Sequence, residues 1–306
     1  MKIDLLKPLL YGLIRGEKEE VHQAFASCIS NEKEGSSVRF ALQRMYDEYR
    51  QREGMAVIEQ LDYRIKTLIS APYRNCSFDD IFLSDTIKIY TERILREWEH
   101  KDILIENGLS PINKLLLEGP PGNGKTSYAI ALAQKMGIPL LNTNSSVILD
   151  SYLGQSEKNV SLLFQYLPEE CVLFFDEFEA VATGRGNPGK DAGGSGRAWN
   201  SIVTSLLLNI ERIRPTVFFI AATNRSDMLD KAVLRRFDMT MQFNNPTAEE
   251  KNRYIAQYVN QYNLSKDDFQ WEKDKFDSAV SYADVERVLK LRHKQIVLER
   301  VIGKGL

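Results

Sequence analysis

The sequence predicts an α/β fold in which a five-stranded parallel sheet is preceded by an N-terminal helical bundle and followed by a C-terminal helical lid. Three observations predict it. Apolar residues recur at helical spacing before position 72, short apolar segments then alternate with helical ones, as in a buried parallel sheet, and only helical patterns follow Pro246. We therefore expect three domains, spanning residues 1–71, 72–246 and 247–306.

The N-terminal bundle is predicted from four apolar stripes, each at the spacing of one helix face. The stripes run through Leu5–Leu13, Val21–Ile29, Val38–Tyr49 and Ile58–Leu68. Gly16, residues 31–36 and Gly54 are expected to form the turns between the helices. Ala71 is expected to end the fourth helix, because Pro72 disfavours helical geometry in the residue that precedes it.

The sheet is predicted from five short apolar segments, and the lid from two helix starts. The strands are expected at Leu115–Glu118, Pro139–Thr143, Cys171–Phe175, Thr216–Ala221 and Met239–Phe243. Thr247 with Glu250 has the pattern of a capping box. Ser281 with Asp284 has the pattern of a second helix start, so the C-terminal segment is expected to be a small helical domain.

The charge balance argues against a nucleic-acid-binding protein. The 306 residues include 42 acidic and 40 basic side chains, so no large positive field is available to attract phosphate backbones. The three widely spaced cysteines fit neither a disulfide framework nor a paired-cysteine metal site and are expected to be reduced. No apolar run approaches the roughly 20 residues that span a bilayer, and the N-terminus lacks the pattern of a signal peptide. We therefore expect a cytoplasmic protein with no nucleic-acid or membrane partner.

A glycine-rich segment between the first predicted parallel strand and a helix predicts a phosphate-binding loop. Residues 119–126 read GPPGNGKT, which satisfies the pattern G-x-x-x-x-G-K-[ST]. The glycines let successive amide groups turn inward around an anion, Lys125 reaches the outer phosphates and Thr126 holds Mg²⁺. The alternative, a glycine-rich turn with a surface lysine, is disfavoured by the order of strand, loop and helix. We therefore predict a P-loop NTPase core, with nucleotide bound by Pro121, Gly122, Asn123, Gly124, Lys125, Thr126 and Ser127.

Acidic and amide side chains follow two further predicted strands. Asp176 and Glu177 would emerge beside the phosphate-binding loop, at the sheet edge where ligands bind. Asp176 would hold the Mg²⁺ shell, and Glu177 would polarise the attacking water. The alternative is a pair of solvated turn residues. Asn224 could contact the γ-phosphate or position water, although asparagine also ends strands for reasons of turn geometry.

Two adjacent arginines, Arg235 and Arg236, lie between Leu234 and Phe237. An arginine can meet the negative charge that develops on the γ-phosphate during its transfer. The alternative is a pair of ordinary surface arginines. This alternative is stronger than a surface lysine is for Lys125, because Lys125 lies in a complete phosphate-binding motif.

Together these residues resemble the motifs of the AAA+ ATPases, and specifically the AAA subfamily that remodels proteins. The resemblance runs from about residue 77 to residue 287, and the chain looks like a stand-alone bacterial member with a short N-terminal helical domain. The motifs occur in the family's order: Phe78–Ile81, the Walker A motif at 119–126, the Walker B motif at Val172–Glu177, sensor 1 at Asn224, the second region of homology from Leu229 to Asp238, and Ser281–Asp284.

The resemblance implies an ATP hydrolase that uses ATP and Mg²⁺ and forms a homo-oligomeric ring, usually hexameric. Asp80, Ile81 and Ala283 would belong to the nucleotide pocket, and an arginine finger from one subunit would complete the site of its neighbour. Arg235 and Arg236 are the candidates for this finger. They are adjacent here, whereas the family typically separates the two arginines by two residues, so either could reach the phosphate.

A further resemblance concerns contact with a client protein. Tyr152, Leu153 and Gly154 look like the first pore loop, whose aromatic side chain grips extended polypeptide. Residues 184–196 would occupy the place of the second pore loop. The alternative is a tyrosine packed at the base of a loop.

Two functions are consistent with these motifs. The first is an ATP-driven remodeller that unfolds or translocates a protein client. The second is a nucleotide-state switch that binds and regulates a dedicated partner, such as a protease or a toxin, without threading it. A DNA-loading clamp ATPase is disfavoured by the near-zero net charge and by the form of the pore-loop motif.

Overall fold

The computed structural model describes residues 3–15, 18–33, 36–72, 76–145, 148, 153–182, 194–265, 269 and 273–302. The predicted turn at Gly16 lies outside these residues. The chain divides into two compact units. The first, here called the nucleotide unit, comprises Gly54–Pro246 and Val280–Ala283. The second, here called the helical unit, comprises Met1–Glu53, Thr247–Ala279 and Asp284–Leu306. The three-domain division at 71/72 and 246/247 stays a prediction.

The nucleotide unit is built on a six-stranded sheet with the strand order β1-β3-β4-β5-β2-β6. All neighbouring strands are parallel except β1, which pairs antiparallel with β3 at the edge. The five predicted parallel strands are confirmed, with small shifts at their ends. The strands are β1 Ile69–Ser70, β2 Lys114–Glu118, β3 Leu140–Thr143, β4 Cys171–Phe175, β5 Val217–Thr223 and β6 Met239–Gln242.

Both faces of this sheet are covered, which explains why its strands read as apolar runs. Leu115 and Leu117 enter the core on one face, and Leu116 enters the core on the other. The two faces alternate because successive side chains of a strand point in opposite directions. Strands β4 and β5 repeat this alternation, and all of their residues are buried.

The helices of the described residues belong to both units. Their bounds are α1 Ile3–Arg15, α2 Lys18–Ser30, α3 Ser37–Gln60, α4 Tyr63–Lys66, α5 Asp85–Glu99, α6 Lys101–Glu106, α7 Lys125–Met136, α8 Leu153–Gln165, α9 Phe178–Ala182, α10 Gly194–Glu211, α11 Lys231–Leu234, α12 Ala248–Gln261, α13 Lys273–Ser278 and α14 Tyr282–Ile302. Two short 3₁₀ helices span Phe78–Asp80 and Ser226–Met228. No helix of the described residues is long and apolar enough to cross a membrane.

The N-terminal helices correct two expectations. Gly54 was expected to form a turn, but it lies inside α3, because one glycine in a helix costs only about 1 kcal/mol. The fourth stripe contributes one turn, α4, where the Asp62 side chain accepts the backbone N–H of Arg64 at 2.9 Å. The predicted continuation of this helix to Ala71 is wrong, because Ile69 and Ser70 instead pair with β3.

Both predicted helix starts in the C-terminal segment are confirmed. Thr247 and Glu250 form the capping box of α12: the Glu250 carboxylate accepts the Thr247 N–H at 2.9 Å, and the Thr247 hydroxyl oxygen accepts the Glu250 N–H at 3.2 Å. Helix α14 begins at Tyr282, directly after Ser281. Within the helical unit α12 meets α14, where the Tyr258 hydroxyl lies 3.1 Å from Nδ1 of His293.

Candidate functional site

The site lies at the edge of the sheet where three adjacent parallel strands end. Strands β4, β5 and β2 are neighbours in that order, and Asp176, Asn224 and Gly119 directly follow them. Because parallel strands deliver their carboxyl ends to the same edge, residues far apart in sequence become neighbours. The order of strands thus assembles the site.

The loop between β2 and α7 depends on glycine at three positions. Gly119, Gly122 and Gly124 have φ angles of +143°, +80° and +87°, which side-chain-bearing residues rarely adopt. At Gly119 a Cβ atom would lie 2.2 Å from the backbone oxygen of Phe243 on the neighbouring strand segment. Gly124 is the N-cap of α7, so the loop leads directly to the unpaired amides of the first helical turn.

Lys125 places a buried ammonium group at the centre of this loop. The residue is only 6% exposed. Its Nζ donates to the backbone oxygens of Gly119 at 2.6 Å and Pro120 at 2.9 Å, and to Oδ1 of Asn224 at 2.8 Å. Burial lowers the pKa of Lys125 below its ordinary value, and the negative charges of Asp176 and Glu179 oppose this decrease.

Thr126 and Asp176 form a pair of oxygen-bearing side chains beside the lysine. The Thr126 hydroxyl donates to Oδ2 of Asp176 at 2.9 Å. The other carboxylate oxygen of Asp176 accepts the backbone N–H of Glu177 at 3.0 Å. The Asp176 carboxylate is therefore held at both oxygens and faces the start of α7.

Glu177 differs from Asp176 in exposure and in backbone geometry. Its side chain is exposed, and its φ of +50° lies in the left-handed region, which is uncommon for a residue other than glycine. Backbone strain of this kind is concentrated at functional sites. The structure therefore presents one held and one solvent-accessible carboxylate. The different roles of Asp176 and Glu177 stay predictions.

Glu179 is a site residue that sequence reasoning missed. It lies in the first turn of α9, and its Oε1 accepts the backbone N–H of Asn224 at 3.4 Å. Its charge also opposes the lowering of the pKa of Lys125. The signal in the sequence was a third acid three residues after Asp176, which by itself does not distinguish a site residue from an ordinary helix-start acid.

The structure places the Phe78–Ile81 segment beside α7. The Phe78 ring lies 5.8 Å from the ring of Tyr128, and Ile81 packs against the same core. Asp80 accepts the N–H and the hydroxyl of Ser77 at 2.8 and 2.7 Å, so its carboxylate caps the local 3₁₀ turn. Nucleotide contact by Asp80 and Ile81 stays a prediction.

The structure brings Ala283 to the phosphate-binding loop, where its backbone N–H donates to the oxygen of Gly122 at 2.9 Å. Asn123, which is 4% exposed, accepts the N–H of Tyr282 at 3.3 Å. Its Nδ2 donates to Asn245, which sequence reasoning also missed. Pro121 lies exposed in the loop, and Ser127 lies in the first turn of α7.

The two arginines have different environments. Arg235 is exposed, whereas Arg236 forms an ion pair with Glu211 at 3.3 Å. Asp238 has a structural contact, since its carboxylate accepts the backbone N–H groups of Asn113 and Lys114 at 3.1 and 3.0 Å. The structure thus distinguishes Arg235 from Arg236, which the sequence left equivalent.

The pore-loop prediction falls mostly outside the described residues. This applies to Tyr152 and to residues 184–193 of the second loop, which was predicted at residues 184–196. Residues 194–196 begin α10. Leu153 and Gly154 are the first two residues of α8. The role of these residues stays a prediction.

Comparison with known proteins gives consistent matches. Residues 115–245 match the family described as "ATPase family associated with various cellular activities (AAA)". An uncharacterized AAA family ATPase, y4kL of Sinorhizobium fredii, is 33% identical over 223 residues, which are 72% of this chain and 66% of that protein. The peroxisomal ATPase PEX6 of Arabidopsis thaliana is 30% identical over 276 residues, which are 87% of this chain and 27% of that protein.

A fungal relative matches a shorter part of the chain. The peroxisomal ATPase PEX6 of Saccharomyces cerevisiae is 36% identical over 191 residues, which are 60% of this chain and 18% of that protein. The chain therefore spans about two thirds of the rhizobial relative and less than a third of these two peroxisomal ATPases.

Proposed function

Because the chain belongs to the AAA family of ATPases, we propose that it hydrolyses ATP with Mg²⁺ and, as a hexameric ring, uses the energy to unfold, remodel or translocate a protein client. One observation carries the catalytic part of this proposal. Lys125 and the pair formed by Thr126 and Asp176 meet at one sheet edge, beside a glycine loop that leads to the N-terminus of α7.

The residues present fit a magnesium ion bound together with nucleotide. The Thr126 hydroxyl and the Asp176 carboxylate lie side by side, and both are hard oxygen ligands of the kind that Mg²⁺ uses. Among the described residues there is no group of three or more His, Cys, Asp or Glu side chains that could hold a metal by itself. Such an ion would therefore take its remaining ligands from phosphate oxygens and water. When bound, Mg²⁺ neutralises charge on those oxygens.

Each chemical task of the reaction has a side chain of suitable type in this proposal. Lys125 binds the outer phosphates, and its charge acts strongly because the side chain is buried. Asn224 orients the Lys125 ammonium through the 2.8 Å hydrogen bond. Glu177 is solvent-accessible and orients and deprotonates the attacking water. Arg235 or Arg236 would enter the site of a neighbouring subunit.

The remodelling part of the proposal rests on the family and on the sequence of the first pore loop. Tyr152 would grip the client by aromatic and apolar contact, with Leu153 and Gly154 beside it. The helical domain predicted at 1–71 would bind the client, or a partner such as a protease, and the domain predicted at 247–306 would serve as a lid.

The catalytic proposal is tested by replacing Glu177 with Gln. We expect the Glu177→Gln protein to bind ATP but to hydrolyse it at least about 100-fold more slowly, because an amide cannot accept a proton from water. Steady-state phosphate release and equilibrium ATP binding measure the two effects separately. Glu92→Gln, at an exposed glutamate of α5, is the matched control. Wild-type turnover by the Glu177→Gln protein would remove Glu177 from this role.

The remodelling proposal is tested by Tyr152→Ala. Clients are first captured from a lysate on the Glu177→Gln protein in ATP and identified. We then expect Tyr152→Ala to keep its ATPase activity and to lose unfolding of the captured client, because the grip on the polypeptide is removed. Tyr90→Ala, at an exposed tyrosine of α5, is the control. Unfolding that survives in Tyr152→Ala would instead favour the nucleotide-state switch.

A further inference from the structure

A buried asparagine in the phosphate-binding loop contacts both places where the chain passes between the nucleotide unit and the C-terminal helices. The first crossing follows Asn245, and the second is Val280–Ala283. Nδ2 of Asn123 donates to Oδ1 of Asn245 at 2.8 Å and to the backbone oxygen of Phe243 at 3.2 Å. Oδ1 of Asn123 accepts the N–H of Tyr282 at 3.3 Å. One amide side chain thus uses both its donor and its acceptor ends on the two crossings.

A second hydrogen bond ties the same loop to the second crossing. The Ala283 N–H donates to the backbone oxygen of Gly122 at 2.9 Å. The packing is close, because a Cβ atom at Gly122 would lie 2.9 Å from Oγ of Ser281 and 3.3 Å from Cβ of Ala283. The segment therefore packs tightly on the loop, and these four residues belong to the nucleotide unit.

The geometry of the peptide bond links these contacts to phosphate binding. The oxygen of Gly122 and the N–H of Asn123 belong to one planar peptide unit, so they rotate together. Phosphate binding by such a loop turns its N–H groups toward the anion. A rotation that aims the Asn123 N–H must therefore also redirect the Gly122 oxygen, which holds Ala283.

The chain beyond each crossing is helical. Helix α12 begins at Ala248, three residues after Asn245, and Tyr282 and Ala283 are the first two residues of α14. These two helices contact each other through Tyr258 and His293. A change at the crossings therefore acts at the starts of two helices that pack together.

We propose that Asn123 is a positioning residue that couples the occupancy of the phosphate-binding loop to the starts of α12 and α14. Its side chain and the Gly122 oxygen form a clamp on both crossings, here called the Asn123 clamp, and binding of phosphate resets that clamp. The coupling rests on the proposed function, because it requires nucleotide in the loop.

The test is hydrogen–deuterium exchange of the full chain, read at a peptide covering residues 280–289. The first variant is Asn123→Ala, which removes the side-chain contacts of the clamp with both crossings and leaves the Gly122 oxygen in place. The second is Asn245→Ala, which removes the acceptor on the first crossing and leaves the loop residues unchanged. Asn113→Ala is the matched control. Asn113 is 2% exposed, and its Nδ2 donates to the backbone oxygens of Arg214 and Val217, at the opposite end of β2.

Without nucleotide, we expect Asn123→Ala to raise exchange in this peptide by about fivefold, the factor that corresponds to one net hydrogen bond. Asn113→Ala should leave this peptide at its wild-type rate, because its lost contacts are elsewhere. Unchanged exchange in Asn123→Ala, or an equal rise in Asn113→Ala, overturns the clamp.

With saturating ADP and Mg²⁺, we expect exchange of the peptide to change in wild type and in Asn113→Ala. We expect a smaller change in Asn123→Ala, where only the backbone hydrogen bond from Ala283 to Gly122 still links the loop to this segment. If Asn123→Ala cannot be saturated with ADP, Asn245→Ala becomes the deciding variant. We expect its nucleotide-dependent change in exchange to be smaller than that of wild type. A wild-type-sized change in the deciding variant overturns the coupling. Wild-type protein that binds ADP without any change also overturns it, while leaving the ATPase proposal intact. Failure of wild type to bind nucleotide overturns both.

Discussion

In the proposed function, nucleotide binding depends on the buried ammonium group of Lys125. Burying a cation disfavours its charged form, so the pKa of Lys125 is lowered, and the charges of Asp176 and Glu179 offset part of that decrease. A folded-state pKa below the unfolded value means that the folded chain binds this proton less tightly. The charged lysine therefore opposes folding at pH values below its pKa, a cost that is relieved as the pH rises.

The lowered pKa of Lys125 predicts that ATP binding depends on pH. We expect ATP affinity to fall as the pH rises through the lowered pKa of Lys125, because only the ammonium form attracts phosphate. In Lys125→Arg the alkaline loss should disappear even though binding is weaker, since arginine stays charged over this range. The dissociation constant of ATP measured between about pH 7 and pH 10 checks this. Lys135→Arg, at an exposed lysine of α7, should keep the wild-type profile, and an alkaline loss that persists in Lys125→Arg would identify another titrating group.

At the scale of secondary-structure elements, the close approach of two chain segments shapes the phosphate-binding loop. Strand β2 lies between β5 and β6 and leads into Gly119, whose backbone faces the Phe243 oxygen just beyond β6. No side chain fits between them. The loop can therefore leave the sheet edge at this angle only if the first residue after β2 is glycine.

We accordingly expect Gly119→Ala to destabilise the protein by about 2 to 4 kcal/mol, from steric overlap and an unfavourable φ together. Urea unfolding measures the change in free energy. Gly108→Ala is the matched control, because Gly108 also has a positive φ, +73°, but a Cβ atom added there would meet no other atom within 4 Å. Equal destabilisation by the two substitutions would show that φ alone, and not the contact with Phe243, sets the requirement.

At the scale of the whole molecule, the proposed ring requires a residue that reaches beyond its own subunit. Arg236 is engaged by Glu211 at 3.3 Å within the chain, whereas no ion pair of Arg235 is found in the part of the chain that the structure describes. To contact a neighbouring subunit, an exposed side chain gives up fewer contacts within its own subunit than an ion-paired one does. The geometry therefore favours Arg235 as the finger.

Mixing variants tests this assignment. Arg235→Ala subunits have an intact nucleotide site but no finger, and Lys125→Ala subunits have a finger but no phosphate-binding lysine. We expect each protein to be inactive alone and the mixture to recover ATPase activity, because the finger acts between subunits. Arg236→Ala should retain more activity alone than Arg235→Ala, and Arg93→Ala, at an exposed arginine of α5, should be unaffected. Absence of recovery at every mixing ratio, with assembly intact, would contradict a finger in trans.

The sequence by itself predicted the parallel strands, which the structure confirms, and the residues of the candidate site. Strands β4 and β5 could be predicted because they are buried on both faces and so must be apolar throughout. Lys125 and Thr126 could be predicted because a phosphate-binding loop needs glycines and a lysine at fixed local spacing. The turn at Gly54 and the helix up to Ala71 were wrong, because local propensity is weak against neighbouring helix and strand contacts.

Only the tertiary structure decided which distant residues join the loop. Asn123 meets Asn245 across 122 positions and Tyr282 across 159, and Glu179 meets Asn224 across 45. The tertiary structure also distinguished Arg235 from Arg236, because only Arg236 forms an ion pair with Glu211 among the described residues. Local sequence patterns indicate which residues belong to a helix or a strand. Hydrogen bonds between distant elements depend on which elements become neighbours in the fold, and no pattern of residue spacing in the sequence shows this.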